Sequence, residues 1–559
     1  MSITAITIEN FKGIREQVRV ELKPITLLFG PNSAGKSTII QALHYAREIF
    51  ERQNLNPDRT LLGGDAIDLG GFESLVHKHD TNLPIKIGFE LDLRNEDIPI
   101  YYDGGVEYFG TDKLDNAGNA YLLQAVSRVN NAQIEVTIRW SEQFTKPYIA
   151  LYTVCTNGKD LISVESSPDG LQVYITKINP FNPIFLRESD DPDEIKERVA
   201  KFIEACSDEE PDPELWEDPE LDDSGSIFIY FFLYMNLDKG VPGLTKPIYL
   251  EEQRSALPNW GKNLSLENTI WAEGIDIEDK HNVIRLFSTL AVGPGELVRD
   301  GLRKLCYVGP LREVPNRAHK PATSPEESRW ANGLAAYDTL FFSEDTFIDK
   351  VNGWLAREDR LNSGYSVEVK KYRELEVDNP LTLSVLQGRF LDEDMNLCDS
   401  LLALPVKRRL LIRDEARDIE LAPQDIGVGI SQVLPVVVAA LHHKTGLVVI
   451  EQPELHIHPA FQVALGDLFI EQVREYPDLI FILETHSEHL ILRILRRIRA
   501  THRGENKGVP VTNKDVGVIY VMPGKLGSIV ANIPITEDGD FETDWPDGFF
   551  DEREKELFD

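Results

Sequence analysis

The stretch Gly30-Pro31-Asn32-Ser33-Ala34-Gly35-Lys36-Ser37 matches G-x-x-x-x-G-K-[ST] at every fixed position. An apolar run, Ile25 to Phe29, precedes it, and a helix-forming run beginning at Thr38 follows. In that arrangement main-chain N–H groups of the loop and of the helix N-terminus point at phosphate oxygens, and the helix dipole favours the anion. Gly30 and Gly35 allow a tight turn and close approach without a Cβ. Lys36 would reach the outer phosphates, and the Ser37 hydroxyl would ligate Mg²⁺. The pattern predicts a nucleoside triphosphate site.

Such a loop needs an acidic residue at the end of a neighbouring buried strand to complete the metal shell. LVVIEQPE supplies it at Glu451, after four apolar residues. A second buried run, LIFILETHS, ends at His486, which is either a hydrogen-bond donor to the outermost phosphate or a structural histidine. Gly427, Gly429 and Ser431 stand just before another apolar helix, a second candidate anion site that doubles as an ordinary cap.

The elements that must position these residues follow from periodicity. ITAITIEN, EQVRVEL and PITLLFG read as strands, as do PIKIGFELDL, AQIEVTIRW, PYIALYTVC and LQVYITKI. DNPLTLSVLQGRF and KRRLLIRDEARDIELAP also alternate as strands do. From GISQVLPVVVAALHH to DVGVIYVMP, helices alternate with buried strands, which is α/β layering. No repeat of fixed period or sustained heptad is present.

The 559 residues allow three or four domains and an ample core. No apolar run is long enough to span a bilayer, and no secretory signal opens the chain, so a cytoplasmic location without membrane contact is expected. Cys155, Cys206, Cys306 and Cys398 are too dispersed for a C-x-x-C pair and read as thiols in a reducing compartment. The net charge of −35 argues against broad nonspecific DNA binding. Acid concentrates in Glu188–Asp223 and in the C-terminal tail, as solvated surface or as a dock for a basic partner.

These pieces together resemble the ABC-type ATPase head of the RecF, SMC and OLD group. They are similar in particular to bacterial AAA-type ATPases found beside nucleases in phage-defence loci. The resemblance rests on IENFKGI at 8–14, the P-loop, DLGGFESLVH at 68–77 and VGPLRE at 308–313. It continues through GVGISQVLP at 427–435, IEQPELHIHP at 450–459, ETHSEHL at 484–490 and WPDGFFDE at 545–552. It implies Gly30, Lys36, Ser37 and Thr38 as Walker A residues, Glu451 as the Walker B metal ligand and His486 as the switch histidine. Gly427, Gly429 and Ser431 would form the signature loop. No glutamine stands in DLGGFESLVH to serve as a Q-loop, and His458 takes the place of a D-loop aspartate.

Gln452 departs from that pattern, because most such heads place a water-polarising glutamate there. Glutamine orients water but accepts no proton near neutral pH. Either Glu454 swings in as the base, or hydrolysis is slow and the ATP-bound state long-lived; slow hydrolysis with Glu454 contributing is favoured.

The expected fold is an α/β P-loop head from residues 1–95 and 421–559. A β-rich and acidic helical insertion would occupy 96–300 and a connecting region 301–420. One P-loop and one signature loop per chain imply a homodimer with two composite ATP sites, Lys36 of one copy facing Ser431 of the other. The leading functional expectation is a regulatory ATPase controlling an effector, such as a nuclease encoded nearby, with DNA or a phage protein as trigger. The alternatives are a self-sufficient nuclease built on Glu368-x-Lys370, and a DNA-clamping repair ATPase using the arginines of ILRILRRIRATHR. The last segment equally reads as a solvated helix face paired with the acidic tail.

Overall fold

The computed structural model describes residues 3–57, 67–102, 105–107, 125–179, 182–185, 247–267, 277–317, 319–324, 327–379, 382–383, 386, 402–505, 508–543 and 545. The acidic run, Cys206, Cys398 and the tail beyond Trp545 lie outside these residues.

Among the described residues the strands are β1 Ile3–Glu9, β2 Val18–Glu21, β3 Ile25–Phe29, β4 Ile85–Asp92, β5 Ile100–Tyr102, β6 Gly105–Glu107 and β7 Asn131–Ser141. They continue as β8 Lys146–Thr156, β9 Lys159–Ser166, β10 Val173–Ile178, β11 Ile248–Tyr249, β12 Cys306–Val308, β13 Tyr365–Tyr372 and β14 Lys407–Asp414. The last are β15 Ile419–Leu421, β16 Gly446–Glu451, β17 Leu479–Glu484, β18 Val516–Pro523 and β19 Ser528–Asn532. The helices are α1 Lys36–Arg52, α2 Phe72–Leu75, α3 Ile277–Arg303, α4 Glu327–Ala331 and α5 Leu334–Phe342. After them come α6 Asp345–Leu355, α7 Val428–His442, α8 Pro459–Glu475 and α9 Glu488–His502.

The P-loop strand sits inside a sheet of order β12-β16-β17-β3-β18-β19. Its first five strands are parallel and β19 closes the edge antiparallel. These strands are buried on both faces, which is why they read as continuous apolar runs. Side-chain alternation sends Leu27, Val448, Phe481 and Val518 into one core, with the helices α5 to α9. Leu28, Val449, Ile482 and Ile519 go into the other, with α1, α3 and the second sheet.

That second sheet, β11-β10-β9-β8-β7-β4-β1-β2, is antiparallel throughout. The β-rich segment from 131 to 178 extends outwards from β4, and its side chains share a core with β1, β4 and α1. β9 is a strand that periodicity missed. Conversely, the described part of DNPLTLSVLQGRF is helical, with the Leu383 N–H donating to the Asn379 carbonyl. Leu383 and Leu386, three residues apart, share a helical face.

Pro435 lies within α7 and has no N–H to give the Ser431 carbonyl. The Tyr337 hydroxyl donates to that carbonyl instead, at 3.5 Å, so the helix continues past the proline. No helix among the described residues is long and apolar enough to cross a membrane.

Candidate nucleotide-binding site

β3 delivers the chain into the loop, and the loop's shape depends on two glycines. Gly30 has φ 142° and Gly35 φ 109°. A Cβ on Gly30 would stand 2.0 Å from the Val521 carbonyl oxygen of β18. The loop is therefore moulded against its neighbouring strand, and only glycine fits. Lys36 Nζ donates to the carbonyls of Gly30 and Pro31 at 2.9 and 3.0 Å, holding the side chain along the loop. Burial lowers the Lys36 pKa, while Glu484, Glu454 and Glu451 pull it back up.

Glu451 and Glu484 end the adjacent parallel strands β16 and β17 and sit side by side in register. Topology thus brings the Glu451 carboxylate towards the P-loop, with one strand between β16 and β3. The crevice lies at the carboxyl ends of parallel strands, where such sheets bind ligands. Ser37 Oγ donates not to Glu451 but to Glu484 Oε2, at 2.8 Å. Glu451 Oε1 accepts from the Tyr307 hydroxyl at 3.0 Å. Burial, then the charge of Glu484, pushes Glu451 up to about 7, and burial also raises Glu484.

Ser37, Gln41 and His44 lie on one stripe of α1 and line a cavity of about 310 Å³ with Asp68, Tyr307 and Glu451. Gln41 thus brings a side-chain amide to the cavity that Ser37 and Glu451 line, although DLGGFESLVH contains no glutamine. His44 is fully buried without a hydrogen bond at either ring nitrogen, edge-on to Tyr307 at 4.9 Å.

Glu454 is engaged elsewhere. Its oxygens accept from Thr485 Oγ1 at 2.8 Å and from the His486 N–H at 2.7 Å, so it shapes the turn that carries His486. Burial raises its pKa despite those bonds. His486 Nε2 is buried with no hydrogen-bond partner. Burial and then the charge of Lys36 lower the histidine's pKa.

Gln452 takes the left-handed conformation, φ 46°. Its N–H donates to the Glu484 carbonyl at 2.7 Å. Arg312, buried at 4% exposure, fixes the other side of this turn. Its guanidinium donates to the carbonyls of Glu451 at 2.7 Å, Gln452 at 3.1 Å and Gln432 of α7 at 3.3 Å. Gln432 Nε2 returns a bond to the Arg312 carbonyl at 2.8 Å. Burial pulls the guanidinium down to about 10, opposed by Glu454, Tyr307 and Glu451.

The segment expected to serve as a signature loop is differently disposed. Gly427 and Val428 are exposed, but Ser431 is buried and its hydroxyl donates to the Val428 carbonyl at 2.9 Å. What faces outwards is the start of the helix at Gly427 and Val428, while the Ile430 and Ser431 N–H groups are given to the Gly427 carbonyl at 3.1 and 3.2 Å. His458 caps α8, its Nδ1 accepting from the Ala460 N–H at 3.2 Å.

The donor set fits the expected ligands. Ser37, Glu451 and Glu484 offer hard oxygen atoms of the kind Mg²⁺ takes, and the buried Nε2 of His486 has no hydrogen-bond partner. Sequence reasoning missed Glu484, Tyr307, Arg312 and Gln41. Glu484 had a signal, since it ends the second buried strand as Glu451 ends the first.

The other expected sites fare differently. Lys370 pairs with Glu420, and no cluster of three potential metal ligands occurs among the described residues, so Glu368 gains no carboxylate partners. Arg493 and Arg497 pair with Asp467 at 2.5 and 2.7 Å, and Arg499 with Asp540 of the tail at 2.5 Å. Three of the five arginines are therefore occupied by acids, but only Arg499 pairs with the tail, and Arg493 and Arg497 pack against Asp467 of α8.

Residues 1–214 match the AAA ATPase domain family. Residues 294–493 match an AAA domain family whose description names the AbiEii toxin of type IV toxin–antitoxin systems. Residues 511–559 match a family of unknown function, DUF3696. No curated protein matches the chain. Among solved structures, the Smc head bound to the C-winged helix domain of ScpA is similar at TM-score 0.34 and 9% identity, over 96% of this chain and 98% of that one. The Smc head with an extended coiled coil, bound to the C-terminal domain of ScpA derived from Pyrococcus furiosus, gives 0.34 and 10%, over 96% and 97%. The SMC head domain from Thermotoga maritima gives 0.33 and 7%, over 96% and 100%. A glycine-moulded phosphate loop, carboxylates at the ends of neighbouring parallel strands and AAA domain matches over residues 1–214 and 294–493 give this chain the α/β fold of a P-loop ATPase.

Proposed function

We propose that the chain is the ATP-binding, slowly hydrolysing regulatory subunit of a bacterial defence system. In this reading it pairs with a second copy through composite ATP sites and controls a separate effector. The observation that carries the reading is the exposed start of α7 at Gly427 and Val428, a helix N-terminus open to a phosphate that another copy presents. The family description naming the AbiEii toxin supports the defence context.

Within one copy, the loop amides and Lys36 bind and orient the β- and γ-phosphates, and His486 Nε2–H donates to the outermost one. When bound, Mg²⁺ supplies charge neutralisation at the phosphate oxygens. Gln452 orients water without taking its proton, which makes turnover slow. Glu454 contributes by holding the His486 turn in place. The effector, a nuclease encoded nearby, and the trigger, DNA or a phage protein, act through the paired state. Because an ATP-driven pair forms by differential affinity, nucleotide shifts the population of dimers.

Mass measurement in solution with and without ATP, on wild type and Lys36→Ala, tests the proposal. A nucleotide-dependent dimer lost in the variant is expected, and a monomer with ATP bound would refute it. Co-purification with neighbouring gene products then identifies the effector.

A further inference from the structure

We infer that Glu484 is a second acidic member of the metal shell, working beside Ser37 and Glu451. The inference rests on the ATPase reading above, and it concerns a residue to which the P-loop pattern gives no role.

Three acids crowd this site, and their contacts separate them. Both oxygens of Glu454 are taken by Thr485 and the His486 N–H. Glu451 is steered by the Tyr307 hydroxyl. Glu484 alone touches the hydroxyl that a P-loop uses as a metal ligand, at 2.8 Å from Ser37 Oγ. Its strand, β17, lies directly between β16 and β3, so its carboxylate bridges the Walker B strand and the loop. The backbone fixes that position twice. The Gln452 N–H holds the Glu484 carbonyl at 2.7 Å, and the Thr485 N–H bonds to the Leu28 carbonyl of β3 at 3.1 Å. At 6% exposure Glu484 has little water of its own, and a buried carboxylate needs a cation or donors. Ser37 supplies one donor, and the neighbouring Lys36 supplies charge.

With a glutamine at 452, the second carboxylate of the site comes from the strand beside Walker B instead of from the next residue. Glu484 would then accept hydrogen bonds from the metal's water shell while Ser37 ligates the ion.

The test uses the full chain. Mn²⁺ binding is followed by electron paramagnetic resonance in the presence of ADP. Metal-free ADP binding is followed separately by calorimetry in EDTA. Glu484→Gln keeps the size and an acceptor for Ser37 but removes the charge. Mn²⁺ affinity should fall about 10- to 100-fold, while metal-free ADP binds as tightly as to wild type or more tightly, since a negative charge has left the phosphate site. A merely structural role would weaken both together, and that result overturns the inference, as does an unchanged Mn²⁺ affinity. Failure of wild type to bind either ligand would instead strike the ATPase reading itself.

Discussion

The guanidinium of Arg312 and the main-chain carbonyl of Glu451 meet at 2.7 Å, and the same guanidinium reaches α7 through the Gln432 carbonyl. The turn after β16 and the helix α7 are thus joined by one buried cation. Arg312→Ala would remove the charged donor that three carbonyls share. A loss of about 2 kcal/mol or more is expected in urea melts, since hydrogen bonds from charged donors are the stronger kind. Lysine at 312 should rescue less than half of it, because it lacks the fork.

Lys36→Ala should leave the fold intact and weaken ATP binding about 10- to 100-fold, the worth of one charge-assisted contact. Calorimetry with unchanged circular dichroism checks this.

Two glycines make opposite predictions. Gly30→Ala forces a Cβ into the Val521 carbonyl and should abolish the folded loop, seen as loss of ATP binding and a lower Tm. Nothing lies within 4 Å of a Cβ on Gly427, so Gly427→Ala should not perturb the isolated copy. Any loss of ATP-driven pairing in that variant therefore reports on the partner.

His44 gives a pH signature. Burial, then the charge of Arg47, lowers its pKa to about 3 from an ordinary 6.5. The unfolded chain takes up the proton first, so its contribution is complete above pH 6.5 and is lost as pH falls towards 3. Between pH 6.5 and 5, wild type should lose about 2 kcal/mol more than His44→Phe. Equal slopes in denaturant melts would refute the assignment.

Gln452→Glu restores a proton acceptor at the turn. Turnover should rise by at least about tenfold, within the range that general bases contribute, measured as phosphate release at saturating ATP. A variant no faster than wild type would show that position 452 does not face the attacking water.

Much of this was legible in the sequence because its signals are local. The P-loop, Glu451 and the α/β alternation are patterns of neighbours, and β3, β16, β17 and α7 lie where those patterns put them. Glu484 was hidden because its significance is a contact with Ser37 across 447 positions of chain. Arg312 was hidden for the same reason, inside a block that resembles known heads but carries no chemistry until it folds onto Gln452. Ser431 could be read as an exposed cap or an anion contact, and only packing reveals its inward-turned hydroxyl.

β3 lies between β17 and β18, and its residues alternate between two cores. The earliest-made part of the ATP site is thus completed by strands near the far end of the chain. A ribosome-bound fragment ending before residue 516 would carry the whole phosphate motif yet lack the strand against which Gly30 is moulded. Catalytic competence should consequently appear late in synthesis and all at once, keeping unfinished chains silent.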